Sequence, residues 1–135
     1  MSMHSKGTFD IKSWDEKPIS EGNGLPKITR AIVSKTFTGE IEGTSTLEYL
    51  MMYRDDGSAS FVGMERVVGH VGGKSGSFVL QHNGVFEAGT AKSVCPIVPG
   101  SGTGELLGIR GEAHYAATHT SRPITLDYDF ERTAA

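Results

Sequence analysis

Three glycine-bearing turns punctuate the middle of the chain at near-even spacing: Asp55-Asp56-Gly57, Gly72-Gly73 and Glu87-Ala88-Gly89. The segments between them are rich in β-branched and aromatic residues. Short turns of this kind join antiparallel neighbours and fix their register, and register decides which side chains share a face. The pattern predicts an antiparallel meander. Glycine supplies 18 of 135 residues, nearly twice its usual share of about 7%. With no low-complexity run present, that glycine belongs to turns and strand bends. The length fits one domain, residues 1–135.

Along the chain, Phe9 and Ile11 alternate with Thr8, Asp10 and Lys12, which predicts a first strand ending near Trp14. Residues 15–26 collect Glu, Lys, Pro, Ser, Gly and Asn and read as a surface loop, a candidate mobile lid. Further strands are expected at 27–38, 44–54, 59–69, 75–86 and 90–98, the last closed by Pro99. The glycine-rich stretch 100–111 has helical character only around Glu105–Leu107, and two more strands follow at 112–118 and 124–131. Eight strands without a long helix predict an all-β fold, a closed antiparallel eight-stranded barrel of meander topology, which leaves no exposed edges.

The turns also predict faces. A three-residue loop at Asp55-Asp56-Gly57 sets Met51 opposite Phe61 and Leu47 opposite Glu65, and a two-residue loop at Gly72-Gly73 sets Glu65 opposite Leu80 and Gly63 opposite His82. Both registers place Leu47, Tyr49, Met51, Tyr53, Phe61, Glu65, Val67, Phe78, Leu80, His82 and Phe86 on one mostly apolar face, the expected interior. Glu65 and His82 become diagonal neighbours there. A loop at Ile41-Glu42-Gly43 sets Lys35 opposite Tyr49 and adds Val33 and Phe37 to the same face. Apolar walls with a few convergent polar groups are how a small-molecule pocket is built, so the candidate ligand-binding set is Lys35, Tyr49, Tyr53, Phe61, Glu65, Phe78 and His82. The competing reading is a structural network in which Glu65 pairs with Lys35 or His82 inside a filled core. On the opposite face, Leu50, Met52, Val62, Met64, Val68 and Val79 are too apolar to stand wholly in water, so a homo-oligomer formed through Leu50, Met52, Val62 and Met64 is expected.

Three runs carry a family resemblance: Leu47-Glu-Tyr-Leu-Met-Met-Tyr-Arg-Asp-Asp-Gly-Ser-Ala-Ser-Phe-Val-Gly-Met-Glu-Arg-Val, Gly72-Gly-Lys-Ser-Gly-Ser-Phe-Val-Leu-Gln-His-Asn-Gly and Pro99-Gly-Ser-Gly-Thr-Gly-Glu-Leu-Leu-Gly-Ile-Arg-Gly. Over nearly its whole length the chain resembles the bacterial family known as domain of unknown function 3224. That resemblance implies a small barrel similar to plant allene oxide cyclase. The stretch Gly102-Thr-Gly-x-Leu-x-Gly-x-x-Gly also resembles the closing segment of that wider superfamily. The resemblance implies no established activity and carries over no catalytic residue.

The remaining signals mostly exclude. A formal charge of −3 with no basic stripe argues against nucleic acid. The absence of a long apolar run argues against a membrane span or leader, which makes a soluble, cytoplasmic protein the expectation. The single cysteine, Cys95, permits no intrachain disulfide and has no nucleophile signature. Gly69-His-Val-Gly-Gly-Lys-Ser has one residue too few for a phosphate loop, and Gly100-Ser-Gly-Thr-Gly fails the dinucleotide spacing. Ser75 and Ser77 lack the nucleophile-elbow pattern. His114 and His119, five apart on a strand, face opposite ways, and His4 and His70 have no partner in a recognised spacing, so neither metal nor cofactor is expected. Three functions stay open: a non-catalytic barrel holding a small apolar molecule, with Tyr49, Glu65 and His82 orienting its polar end; an isomerase or cyclase using Glu65 or His82 as acid or base; and a structural or interaction domain.

Overall fold

The structure, a computed structural model, describes residues 2–131, so the expected domain 1–135 extends past the described residues at both ends. Nine strands form one sheet, with no helix among the described residues. They are β1 (Met3–Gly22), β2 (Leu25–Gly39), β3 (Ile41–Tyr53), β4 (Ala59–Val71), β5 (Lys74–Glu87), β6 (Thr90–Pro96), β7 (Thr103–Gly104), β8 (Ile109–Ala117) and β9 (Pro123–Phe130). All pairings are antiparallel. The order β4-β3-β2-β1-β9-β8-β6-β5, together with the pairing of β4 to β5, makes a ring of eight strands, to which the two residues of β7 add against β5.

The short turns set the registers expected of them. Leu47 lies opposite Glu65, Met51 opposite Phe61, Glu65 opposite Leu80 and Gly63 opposite His82. Residues 15–26 are not a loop. β1 continues to Gly22 and turns into β2 through Asn23-Gly24, with Gly24 at φ +78°. Asn-Gly is a strong two-residue hairpin signal, and the polar composition around it reflects an arm wetted on both faces, not a lack of strand. The β2–β3 register also differs from expectation: the chain reverses at Gly39-Glu40, so Lys35 lies opposite Ser45, and Tyr49 opposite Ala31. The slip is four residues, an even number, so Val33, Lys35 and Phe37 keep their inward side.

Glycines permit the tightest bends. Gly43 and Gly69 lie opposite each other at φ +145° and +158°. A Cβ on either would stand 2.1 or 2.0 Å from a carbonyl oxygen of the facing strand. In the 100–111 stretch, consecutive hydrogen-bonded turns, Leu106 N–H to Thr103 O and Ile109 N–H to Leu106 O, replace the expected helical turn. They drive Leu106, fully buried, into the core.

That segment fills one half of the ring. Phe37, Ile41, Val71, Phe78, Leu80, Leu106, Ile109 and Leu126 pack there as one apolar cluster. A second cluster, Ala31, Val33, Leu47, Tyr49, Met51, Ala59 and Phe61, covers the wall nearer the other end. There β1 leaves its neighbour: its pairing with β9 stops at Thr8–Pro123, and the edge from Asp10 onward stands free, guarded by Asp10, Lys12, Asp15, Lys17 and Pro18. Of the outward apolar residues expected to pair copies, Leu50, Val62, Met64 and Val68 are about half exposed, whereas Met52 and Val79 are partly covered.

Candidate functional site

A polar layer crosses the interior between the two apolar clusters. Lys35 on β2 faces Ser45 on β3, Ser45 sits diagonally from Glu65 on β4, and Glu65 sits diagonally from His82 on β5. Glu65, 1% exposed, is the hub. It accepts from the Ser45 hydroxyl at 2.5 Å and from His82 Nε2 at 2.6 Å, and stands 3.6 Å from Lys35 Nζ. Among the described residues, no side-chain nitrogen or oxygen sealed from solvent lacks a hydrogen-bond partner; Lys35 Nζ, beyond hydrogen-bond distance of Glu65, borders a cavity on the far side of this layer.

The charges follow from this geometry. Burial alone would raise the Glu65 carboxyl, but the Lys35 charge, the His82 contact and the Ser45 hydroxyl outweigh it and hold the group at about 2. Burial lowers His82, and the Lys35 charge adds to that; the Glu65 contact pulls the other way without winning. The buried trio is therefore neutral overall, a carboxylate, an ammonium and an uncharged imidazole. Since a carboxylate only accepts, His82 Nε2 carries the ring proton and Nδ1 presents a lone pair.

Two phenols meet that lone pair. Tyr115 Oη on β8 lies 3.1 Å from Nδ1, Tyr49 Oη lies 3.4 Å from it, and the phenols are 3.2 Å apart. Gly63 makes the meeting possible by standing between Tyr49 and His82 without a side chain, which lets their rings pack edge to face at 5.3 Å. A Cβ there would lie 2.9 Å from the Tyr49 ring and 2.4 Å from the Glu48 carbonyl oxygen. Burial pushes both phenols well above their ordinary range, so both keep their protons.

Beyond this layer the interior opens into a cavity of about 370 Å³. Phe9, Ile11, Trp14, Met51, Phe61, Phe86 and Ala91 form its walls, Lys35, Tyr49 and Tyr115 contribute polar atoms, and Thr118, His119 and Arg122 of the β8–β9 loop border it. No acidic side chain among the described residues lines it. Lys35 Nζ sits 4.4 Å from the Phe9 ring centre and 5.5 Å from that of Tyr115.

Of the seven residues singled out from the sequence, Lys35, Tyr49 and Phe61 line the cavity, while Glu65 and His82 stand directly behind the Tyr49–Tyr115 pair. Phe78 belongs to the apolar cluster of the filled half, and Tyr53 lies outside the cavity lining, donating to Glu16 at 2.5 Å. Sequence reasoning missed Phe9, Trp14 and Tyr115. Phe9 and Tyr115 each alternate correctly within their own strands, but nothing local says that β1 and β8 face the same space. Trp14 is subtler: Ile11 pairs with Lys35 and Ser13 with Ser34, so a bulge at Lys12 resets the alternation and turns Trp14 inward, 5.8 Å from Tyr49. Cys95 is fully buried, and burial pushes its thiol up to about 11, as befits an inert packing group. On the outer surface, His4 contacts Asp127, which also lies 3.6 Å from His114. Among the described residues no group of three or more His, Cys, Asp or Glu is placed to hold a metal ion, and no helix is long and apolar enough to cross a membrane.

The model of the DUF3224 family, proteins of unknown function, matches residues 5–130. The chain is similar to a crystal structure of a protein of unknown function from that family, from Shewanella oneidensis MR-1. The two are 32% identical and superpose with a TM-score of 0.82, over 98% of this chain and 100% of the other. No curated protein matches the chain.

Proposed function

The chain belongs to the DUF3224 family of proteins of unknown function, and from that premise we propose that it binds a small, largely apolar molecule, its ring of strands acting as a closed barrel around the ligand. The observation that carries this reading is the cavity of about 370 Å³, walled by aromatic rings, which holds an ammonium and two phenols at its polar side. Cavities of roughly 300–1,000 Å³ with apolar linings and few polar groups are the usual form of a ligand site. Behind it, Glu65, His82, Tyr49 and Tyr115 are held by hydrogen bonds to one another, which suits orienting a ligand at little entropic cost.

Trp14, the only tryptophan, borders this cavity and provides the readout. Native mass spectrometry of the protein purified from its host, paired with Trp14 fluorescence, tests the proposal. A retained small molecule whose removal changes Trp14 emission, and which is lost in Ala91→Phe, supports it. An empty protein whose Trp14 emission no apolar probe alters overturns it.

A second reading, an isomerase or cyclase, is favoured by one specific feature. Tyr115 reaches both the cavity and His82, which Glu65 backs. Proton transfer to a substrate would then run through Tyr115 or Tyr49, because Glu65 and His82 do not line the cavity. Turnover of the retained molecule, abolished in Tyr115→Phe, would support this reading over simple binding.

A further inference from the structure

We infer that the cavity selects a compact aromatic molecule bearing a hydroxyl group, about fifteen or fewer non-hydrogen atoms in all, with that hydroxyl seated between the Lys35 ammonium and the Tyr49–Tyr115 pair. The inference rests on the binding reading above and narrows it to a chemical class.

Size comes first. A dry apolar cavity of about 150 Å³ holds benzene, about 25 Å³ per carbon. At that ratio 370 Å³ takes about fifteen non-hydrogen atoms. A one- or two-ring compound fits within the walls, whereas a long-chain lipid would have to extend past them into solvent. The walls agree, because Phe9, Trp14, Phe61 and Phe86 offer ring faces and edges that complement a flat π-system.

Hydrogen-bond polarity sets the functional group. With His82 Nε2 committed to Glu65, Nδ1 accepts from Tyr115, the nearer phenol, and Tyr115 in turn accepts from Tyr49. Both phenolic protons are thus spent within the network, and Tyr49 Oη is left with lone pairs to offer. Lys35 is the opposite. Its carboxylate partner stands at 3.6 Å, beyond hydrogen-bond reach, so its N–H groups are left for a ligand. A donor beside an acceptor matches a hydroxyl, which gives one hydrogen bond and takes one. A carboxylate fits worse. Seated beside Lys35, whose charge Glu65 already balances, a carboxylate would face the Tyr49 lone pairs.

Calorimetric titration of the full chain with 2-naphthol, naphthalene, 2-naphthoate and palmitate at neutral pH tests this. The expected result is that 2-naphthol binds about tenfold more tightly than naphthalene, in line with a hydrogen-bonded hydroxyl, and more tightly than the two carboxylates. Tyr49→Phe should erase most of that advantage, read as the ratio of 2-naphthol to naphthalene affinity measured on the same variant. Equal affinity for 2-naphthol and naphthalene, or tightest binding of either carboxylate, overturns the inference while leaving the binding reading intact. If none of the four binds, the inference falls; the binding reading falls with it only if the protein from its host also retains no molecule. The comparison among probes uses the unmodified protein, so it stands even if Tyr49→Phe fails to fold.

Discussion

Replacing Glu65 by Gln removes one charge from a site where that charge is compensated on three sides. The amide keeps the shape, but its single oxygen can replace only one of the two carboxylate oxygens that accept from Ser45 and His82, and the buried Lys35 ammonium, 3% exposed at its side chain, loses its counter-ion. Breaking a buried pair in this way typically costs about 3–5 kcal/mol. The carboxyl itself leads to a similar figure. Held at about 2 against an ordinary 4.5, it contributes on the order of 3 kcal/mol at about 1.4 kcal/mol per pH unit. For a domain of this length that corresponds to a fall in Tm of about 10 °C. Because the folded value is depressed, the contribution is complete above 4.5 and is lost as pH falls through the folded value of about 2. Urea unfolding followed by Trp14 fluorescence should therefore separate parent and Glu65→Gln by about 3 kcal/mol at neutral pH, with the gap closing between pH 4.5 and 2. Adding Lys35→Met to Glu65→Gln should recover part of the loss, since it removes the orphaned ammonium. A loss below about 1 kcal/mol, well under that of a broken buried pair, or a gap that does not change with pH, refutes the charge assignment.

Other consequences follow from the same geometry. His82 is lowered from 6.5, so the unfolded chain takes up a proton before the native one does. Stability should fall as pH drops below 6.5 with a slope of up to about 1.4 kcal/mol per unit, and urea titrations of His82→Gln should lack that component. Gly63→Ala places a methyl against Glu48 and Tyr49 and should cost about 1–3 kcal/mol by the same assay. Ala88 holds φ +51° in the β5–β6 turn, so Ala88→Gly should raise stability by about 0.5–1 kcal/mol, read as a higher Tm. The outer face of Leu50, Val62 and Met64 is tested by light scattering coupled to gel filtration: an oligomer that Met64→Glu dissociates supports an interface there, and a monomer at every concentration refutes one.

Turn chemistry wrote the β3–β4–β5 registers into the sequence. Loops of two and three residues with glycine at the left-handed position allow few pairings, so Leu47–Glu65 and Gly63–His82 could be counted out residue by residue. Face assignment proved sturdier than register, because a slip of four residues between β2 and β3 preserves parity and kept Lys35 inside. The Asn23-Gly24 hairpin was equally present in the sequence, hidden only by the polar residues of a solvated arm.

What only the tertiary structure decided lies across the ring or beyond a bulge. Tyr115 reaches Tyr49 from a strand 66 residues away, through pairings of β6, β8 and β9 that no short turn specifies. Trp14 faces inward because one extra residue at Lys12 reverses an alternation that local pattern alone carries forward. Leu106 fills one half of the ring because a glycine-rich segment folds back on β5, which leaves the other half open as the cavity. Periodicity is a local property and records which residues share a side. Which sides meet is settled by long-range pairing, whose closure depends on the whole chain.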